Sequence, residues 1–548
     1  MSRRLVAYCC LLLVACAQHP TADLVLYART WTGDSTTPYA GAVAIKGDSI
    51  LAVGDSAAVA RFVGAKTSVI APAGGFVLPG FVDDHVHLLT GGFQLASVDL
   101  RDAATPAEFT RRLKAFALTL APGEWITGGD WDHEKWPGTP LPDRAWIDSV
   151  TPRNPVFVNR LDGHMALANS LALQAAKLDR TAREIPGGSI VRRNDRELTG
   201  VLKDEAMNPV FAVIPAPSPA QLDSALARAM AHAASLGVVG VSSVSTGWAD
   251  IAALRRARAR GALTLRVSNY TPLAAWREMS DSVRASGPGD DWIRSAGVKG
   301  FVDGSLGSTT ALMFQPYRDA PNTKGLFVTP EDSLRRWIAA ADSAGLQVAV
   351  HAIGDRANAL LLDIFDSVAK AHGPRDRRFR IEHAQHLDAG DIPRFRALGV
   401  VPSMQPYHEA DDGRWAAKRI GPELIRGTYA FRSLLESGAR LTFGSDWTVA
   451  PLDPLVGIQA AVTRQTLDGK NPEGWVPEQK IAVEDALRAY TVNNAWAVFA
   501  EARRGTLRPG YLADLVVLDR DLTRIPAASI AQAKVVATIV GGKVVFKR

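Results

Sequence analysis

Six side chains of this 548-residue chain, His85, His87, Lys299, His351, His383 and Asp446, could together form a metal centre, and each falls at or near the end of a short apolar run. His85 and His87 close the segment Gly80-Phe-Val-Asp-Asp-His-Val-His87. Alternation along an extended chain points both imidazoles the same way, so a His-x-His pair can chelate one ion. Lys299 lies within Gly297-Val-Lys-Gly-Phe-Val302, and His351, His383 and Asp446 follow three later runs. A lone histidine is most often a hydrogen-bonded structural residue. Four histidines and an aspartate at run ends, in one consistent order, point instead to a metal centre. The three cysteines, Cys9, Cys10 and Cys16, all lie in the first sixteen residues. Any ion in the globular part must therefore be held by histidine, carboxylate or a modified lysine.

The elements that position these residues alternate. Apolar runs at 81–82, 238–242, 263–267, 297–302, 346–350, 379–381, 400–403 and 440–443 are separated, in several places, by helical stretches such as 220–236 and 331–344. Eight such strands predict an α/β fold, a (β/α)8 TIM-like barrel over residues 79–500, with catalytic groups at the C-terminal strand ends. Residues from about 101 to 215 break the cadence and read as a large insertion after strand 1, available to cover the site. Short strand-like runs punctuated by Gly-Asp turns occupy 23–78, and 501–548 has the same texture. Together they predict one small β-sandwich domain built from both chain ends.

Composition is that of a globular protein: 47% hydrophobic, 22% charged, net charge +6, with a mean hydropathy near zero. Lys and Arg are dispersed, and no basic block marks a nucleic-acid partner. The N-terminus reads as a targeting segment. Arg3 and Arg4 precede an apolar run that ends Leu13-Val14-Ala15-Cys16. This has the form of a bacterial lipobox, with residues 1–15 removed, Cys16 lipidated and 16–22 a polar linker. Ala17 gives no inner-membrane retention signal, so the expected location is the periplasmic side, anchored to the outer membrane. A plain signal peptide is the alternative, and both export the protein. Contact with membrane is expected through the anchor alone; a homodimer stays open.

The order His-x-His, Lys, His, His, Asp resembles the amidohydrolase superfamily, over nearly the whole mature chain. Further segments resemble its branch of YtcJ-like proteins and N-substituted formamide deformylases (amidohydrolase family 3). They include Gly128-Gly-Asp-Trp-Asp132 with Trp136, Arg160-Leu-Asp-Gly-His164, Thr199-Gly-Val-Leu-Lys203, His351-Ala-Ile-Gly-Asp355, Ile381-Glu-His383 and Gly444-Ser-Asp446. Gly128-Gly129 departs slightly from the turn usual in that branch. The resemblance implies a carbamylated Lys299 bridging two divalent ions, most often zinc, with His85, His87, His351, His383 and Asp446 as further ligands. An ammonium cannot ligate a cation; CO2 addition turns it into a carboxylate that can. A structural Lys299 paired with an acid, beside a single ion on His85, His87 and Asp446, is the alternative.

The implied reaction is hydrolysis of a small non-peptide, cyclic or N-acyl amide by metal-activated hydroxide, with Asp446 as general base and then acid. Ester or lactone hydrolysis on the same site is a second reading, and a non-catalytic envelope binding protein a third. No dinucleotide fingerprint is present. Trp131, Asp132, Trp136, Arg160, His164, Asp303, Gln405 and Tyr407 are candidate substrate contacts, with Asp162, Ser305 and Trp447 near them. The aromatics could equally pack insertion against barrel, and Arg160 could pair with a substrate carboxylate or with Asp162. His386 and His408 read as bystanders at the rim; His133, His232 and His372 carry no pattern.

Overall fold

A computed structural model describes residues 20–548. The segment expected to be a leader, with Cys16 at its lipobox-like end, lies outside the described residues. Eight parallel strands form the central sheet: β1 (Phe81–Val86), β2 (Val238–Ser243), β3 (Arg266–Pro272), β4 (Ile293–Phe301), β5 (Gln347–Ala352), β6 (Arg380–His383), β7 (Val401–Met404) and β8 (Thr442–Phe443). The third strand runs later than residues 263–267, and the eighth is a two-residue pairing. Closure occurs just beyond β1 and β8, through a parallel bridge between Val86 and Trp447. There His87 N donates to Trp447 O and Asp446 N to His85 O, both at 2.7 Å. The barrel therefore closes through the backbone of its candidate ligands.

Helices precede or follow most strands for local reasons. Pro219–Ser235 starts at a capping box, Ser218 with Gln221, and carries Pro219 in its first turn. Its apolar residues recur at three- and four-residue spacing, and Leu222, Ala225, Leu226, Ala229 and Ala233 are buried. Gly80 turns the chain into β1 against Val239; a Cβ at Gly80 would lie 2.2 Å from that side chain.

The stretch between β1 and β2 has its own five-stranded sheet. Its strand order is 188–192, 198–204, 165–168, 156–160 and 126–131, parallel only between the last two. One apolar cluster holds Phe109, Leu113, Trp131 and Trp136, and another holds Phe157, Leu173, Ile190 and Leu202. This inserted sheet is thus buried on both faces. The two chain ends also share one hydrogen-bonded sheet. Strand 515–518 pairs with 76–79 and with 535–540, and 76–79 pairs in turn with 24–31. Leu24, Leu26, Val43 and Ile45 meet Leu515, Val517, Ala537 and Ile539 in one cluster, so the two halves form one core. Among the described residues no helix is long and apolar enough to cross a membrane.

One buried ion pair ties the end sheet to the barrel. Arg266, in β3, donates from Nε and Nη2 to the two oxygens of Asp514 at 2.6 and 2.9 Å. Removing one member of such a pair leaves an uncompensated buried charge. Asp514→Ala is expected to destabilise the protein by about 3–5 kcal/mol, read as a lower midpoint in thermal or urea unfolding. A midpoint equal to wild type contradicts this.

Candidate metal centre

The C-terminal strand ends bring the six candidate ligands of the sequence into one largely buried place. His85, Lys299, His351, His383 and Asp446 are buried, while His87 is partly exposed. The rings of His85 and His383 lie 4.9 Å apart, and those of His351 and His383 4.5 Å. Asp446 Oδ1 is 3.3 Å from His87 Nε2 and 3.5 Å from His85 Nε2. Two backbones carry strain there: φ is +76° at His383 and +58° at Asp446, a region costly for residues with a Cβ.

Hydrogen bonds at the far side of each ring set its tautomer. His85 Nδ1 donates to Glu382 Oε2 at 2.5 Å, and His383 Nδ1 to Gln405 Oε1 at 2.7 Å, which leaves an Nε2 lone pair on each ring. His351 Nε2 donates to the Gly304 carbonyl at 3.0 Å, leaving its Nδ1. Burial first, then the charge of Lys299, pushes the His85 pKa down to about 4. Burial also holds His351 and His383 well below the ordinary histidine range. The imidazoles are therefore neutral, the form that ligates metal.

The donors fit a cation. His85 Nε2, Asp446 Oδ1 and His408 Nε2 are buried without a hydrogen-bond partner. Ligand atoms of His85, His87 and Asp446 lie within 4.8 Å of one another, and so do those of His383, His408 and Asp446. Burial raises the Asp446 carboxyl, but the imidazoles of His85, His87 and His383 outweigh it and hold the group ionised. Lys299 is in a different state from a salt-bridged lysine. Its Nζ sits 4.4 Å from the Phe301 ring centroid, and no carboxylate among the described residues comes within ion-pair distance. Burial lowers its pKa to about 8, against the pull of Glu382 and Asp446.

Beneath the histidines, Glu382 accepts from Arg380 Nε at 2.7 Å and from Ser403 Oγ at 2.8 Å. Arg380 also donates to Asp84, at 2.8 Å to its carboxylate and 2.7 Å to its carbonyl. Asp83 accepts from the backbone N–H groups of His85 and Ser445, so it joins β1 to the segment carrying Asp446.

The centre opens into a cavity of about 1360 Å³ shared between barrel and insertion. Of the eight candidate substrate contacts, Arg160 and His164 line it. His164 donates from Nδ1 to Asp204 Oδ1 at 2.6 Å, and its ring lies 5.0 Å from His351. Trp131 and Trp136 stack on each other inside the inserted domain, donating to the carbonyls of Val158 and Ala103. Asp132 pairs with Arg160 and Arg414. Asp303 accepts from the backbone of Leu312, Ile353 and Gly354, which ties the loop after β4 to β5. Gln405 orients His383, and Tyr407 does not line the cavity. His408, expected from the sequence to be a bystander at the rim, faces the centre from the first turn of helix Pro406–Asp412. Its position, four residues beyond the end of β7, was the available signal. Glu382 was visible only as part of a motif; its role needs the fold.

Glu382→Gln keeps the shape but removes the charge that fixes His85. Zinc affinity is expected to fall about 10–100-fold, measured by competition with a chromogenic chelator, with far-UV circular dichroism as the fold control. Unchanged affinity in a folded variant contradicts the assignment.

The Amidohydrolase family description matches residues 68–546. Protein LONG AFTER FAR-RED 3 of Arabidopsis thaliana is 40% identical over 538 residues, covering 96% of this chain and 92% of that protein. An N-substituted formamide deformylase of Arthrobacter pascens is 26% identical over 542 residues, covering 96% and 98%. The crystal structure of an uncharacterised metal-dependent hydrolase from Pyrococcus horikoshii OT3 superposes with a TM-score of 0.73 at 30% identity, over 92% of this chain and 99% of that one.

Proposed function

The chain belongs to the amidohydrolase family of metal-dependent hydrolases, and on that premise we propose that it hydrolyses the C–N bond of a small non-peptide amide, an N-acylated amine or a cyclic amide. The observation that carries this reading is the convergence of buried, unpartnered donors, His85 Nε2 and Asp446 Oδ1, at the C-terminal mouth of the barrel. In this proposal His85 and His87 would hold one zinc ion and His351 and His383 a second, with Asp446 and a carbamylated Lys299 completing the set. His408 is an additional donor on the His383 side. Carbamylation needs the neutral amine: its lone pair attacks CO2 and a proton is lost. The burial that lowers the Lys299 pKa to about 8 favours that form.

A divalent ion at this place supplies Lewis acidity, lowering the pKa of water and polarising a carbonyl. Asp446, held ionised among imidazoles, takes the proton of the attacking water. As the water oxygen bonds to the carbonyl carbon and the C–N bond breaks, Asp446 returns that proton to the leaving nitrogen. The products are a carboxylic acid and an amine. Against the effect of burial, Asp204 raises the pKa of His164, which is doubly protonated: Nδ1 donates to Asp204 and Nε2 donates to the carbonyl oxygen as negative charge develops there. The insertion supplies the wall of the cavity that faces these steps. The leader carries a separate proposal: export with lipidation at Cys16, checked by loss of radiolabelled lipid incorporation in Cys16→Ser.

Treatment with a chelator is expected to abolish hydrolysis, and added zinc to restore it, in a panel of matched amides and esters. Activity that persists in metal-free protein contradicts a metal-dependent reaction, and turnover of the esters alone contradicts the amide reading. Asp446→Asn is expected to retain bound metal while kcat falls about 10²–10⁴-fold; a rate near wild type removes Asp446 as the base. Lys299→Ala is expected to lose one of two zinc equivalents by mass spectrometry, and full stoichiometry with full activity contradicts the bridge.

A further inference from the structure

The cavity is far larger than the reacting centre needs. Its volume, about 1360 Å³, exceeds the roughly 300–1,000 Å³ usual for small-molecule sites. The metal-centre residues account for one part of its wall. Much of the rest comes from the insertion and is apolar: Phe116, Leu120, Trp125, Phe157, Phe211 and Ile214. Phe157 and Phe211 meet edge to face, with centroids 5.1 Å apart. Phe211 is 52% exposed, and Leu95, Leu118 and Val213, each within two residues of the cavity wall, are exposed too. Exposed large hydrophobic side chains thus gather where the insertion borders the cavity, as they do around sites that receive apolar ligands.

The charges of the wall point the same way. Its cationic side chains among the described residues are Arg160, Lys299 and His164, the last paired with Asp204 and lying against His351 at the metal centre. Lys299 belongs to the metal centre. Arg160 is committed on every side: Nη1 donates to Asp162 at 2.6 Å, Nη2 to Asp132 at 3.2 Å, and Nε to His133 Nδ1 at 3.3 Å. Asp412, also on the wall, accepts from Tyr429 Oη at 2.6 Å and Gln385 Nε2 at 2.7 Å, and no cation comes within ion-pair distance of it among the described residues. Away from the metal centre, a substrate carboxylate would find no free lysine or arginine on this wall, so its desolvation would go uncompensated, a penalty that discriminates against acids.

We propose that the insertion makes a subsite for a large apolar group without a carboxylate, so that the substrates are amides of lipophilic, neutral or amine-bearing molecules and not N-acyl amino acids or peptides. The identity of the broken bond rests on the amide reading above; the preference for the remainder of the molecule rests on the wall. Non-hydrolysable N-alkylureas, from propyl to octyl, and the same ureas with a terminal carboxylate are the probes, bound to the zinc-loaded full chain in calorimetry. Affinity is expected to rise about two- to fourfold per added methylene, and the carboxylate to weaken it at least tenfold. Phe211→Ser and Trp125→Ser should flatten the chain-length dependence at unchanged zinc content. Leu120→Lys should bring each carboxylated probe to within threefold of its neutral partner. A chain-length dependence that is flat in the wild type, or carboxylated probes that bind as tightly as neutral ones, overturns the proposal. Because ureas are not cleaved, a chain that splits only esters yet shows the expected dependence retains the subsite and loses the amide reading.

Discussion

Much of the centre depends on one buried interaction, the hydrogen bond from His85 to Glu382. A carboxylate at that depth is costly unless it is paired and hydrogen-bonded. Arg380 and Ser403 meet that cost, and Arg380 is itself satisfied by Asp84. The chain Asp84, Arg380, Glu382, His85 crosses the barrel interior from β1 to β6 and back. It fixes which ring nitrogen of His85 carries the proton and therefore which one faces the cavity. Tyr270 and Ser242 join it through the Arg380 guanidinium, so β2 and β3 are held to the same point.

The same economy governs closure. The eighth strand is short, and the barrel is sealed beyond it by backbone hydrogen bonds of His85, His87, Asp446 and Trp447. Asp83 reinforces this seam, its carboxyl pushed up to about 7 by burial while it accepts from Ser445 and His85. The left-handed backbone of Asp446 is held in place by these contacts. Stability and site geometry are thus coupled: loosening the seam displaces Asp446 from His85 and His87. The insertion contributes on the other side of the cavity, where its sheet brings Arg160, Asp162 and His164 over the strand ends.

The candidate ligands that the structure brings together stand out in the sequence because their signals are local. His-x-His works through strand alternation, and Lys299, His351, His383 and Asp446 each stand at or near the end of an apolar run. The fold class followed from the repetition of those runs. The insertion's sheet was not legible, since its strand order depends on pairings between segments 30 to 40 residues apart, such as 126–131 with 156–160. Trp131 and Trp136 illustrate a second limit. An aromatic residue in a loop-rich segment has the same appearance whether it lines a cavity or fills a core, and here the inserted domain needed them for packing. Gln405 and Asp303 were near the right place but act through His383 and the backbone. His408 was hidden because a helical turn, not a strand end, delivers it.

The central claim is a two-ion centre at the strand ends, and crystallographic anomalous scattering at the zinc edge tests it most directly. The account predicts two peaks, one against His85 and His87, the other against His351 and His383, with continuous density extending from Lys299 Nζ between them. One peak alone with an unmodified Lys299, or no peak at these histidines after zinc reconstitution, would contradict it.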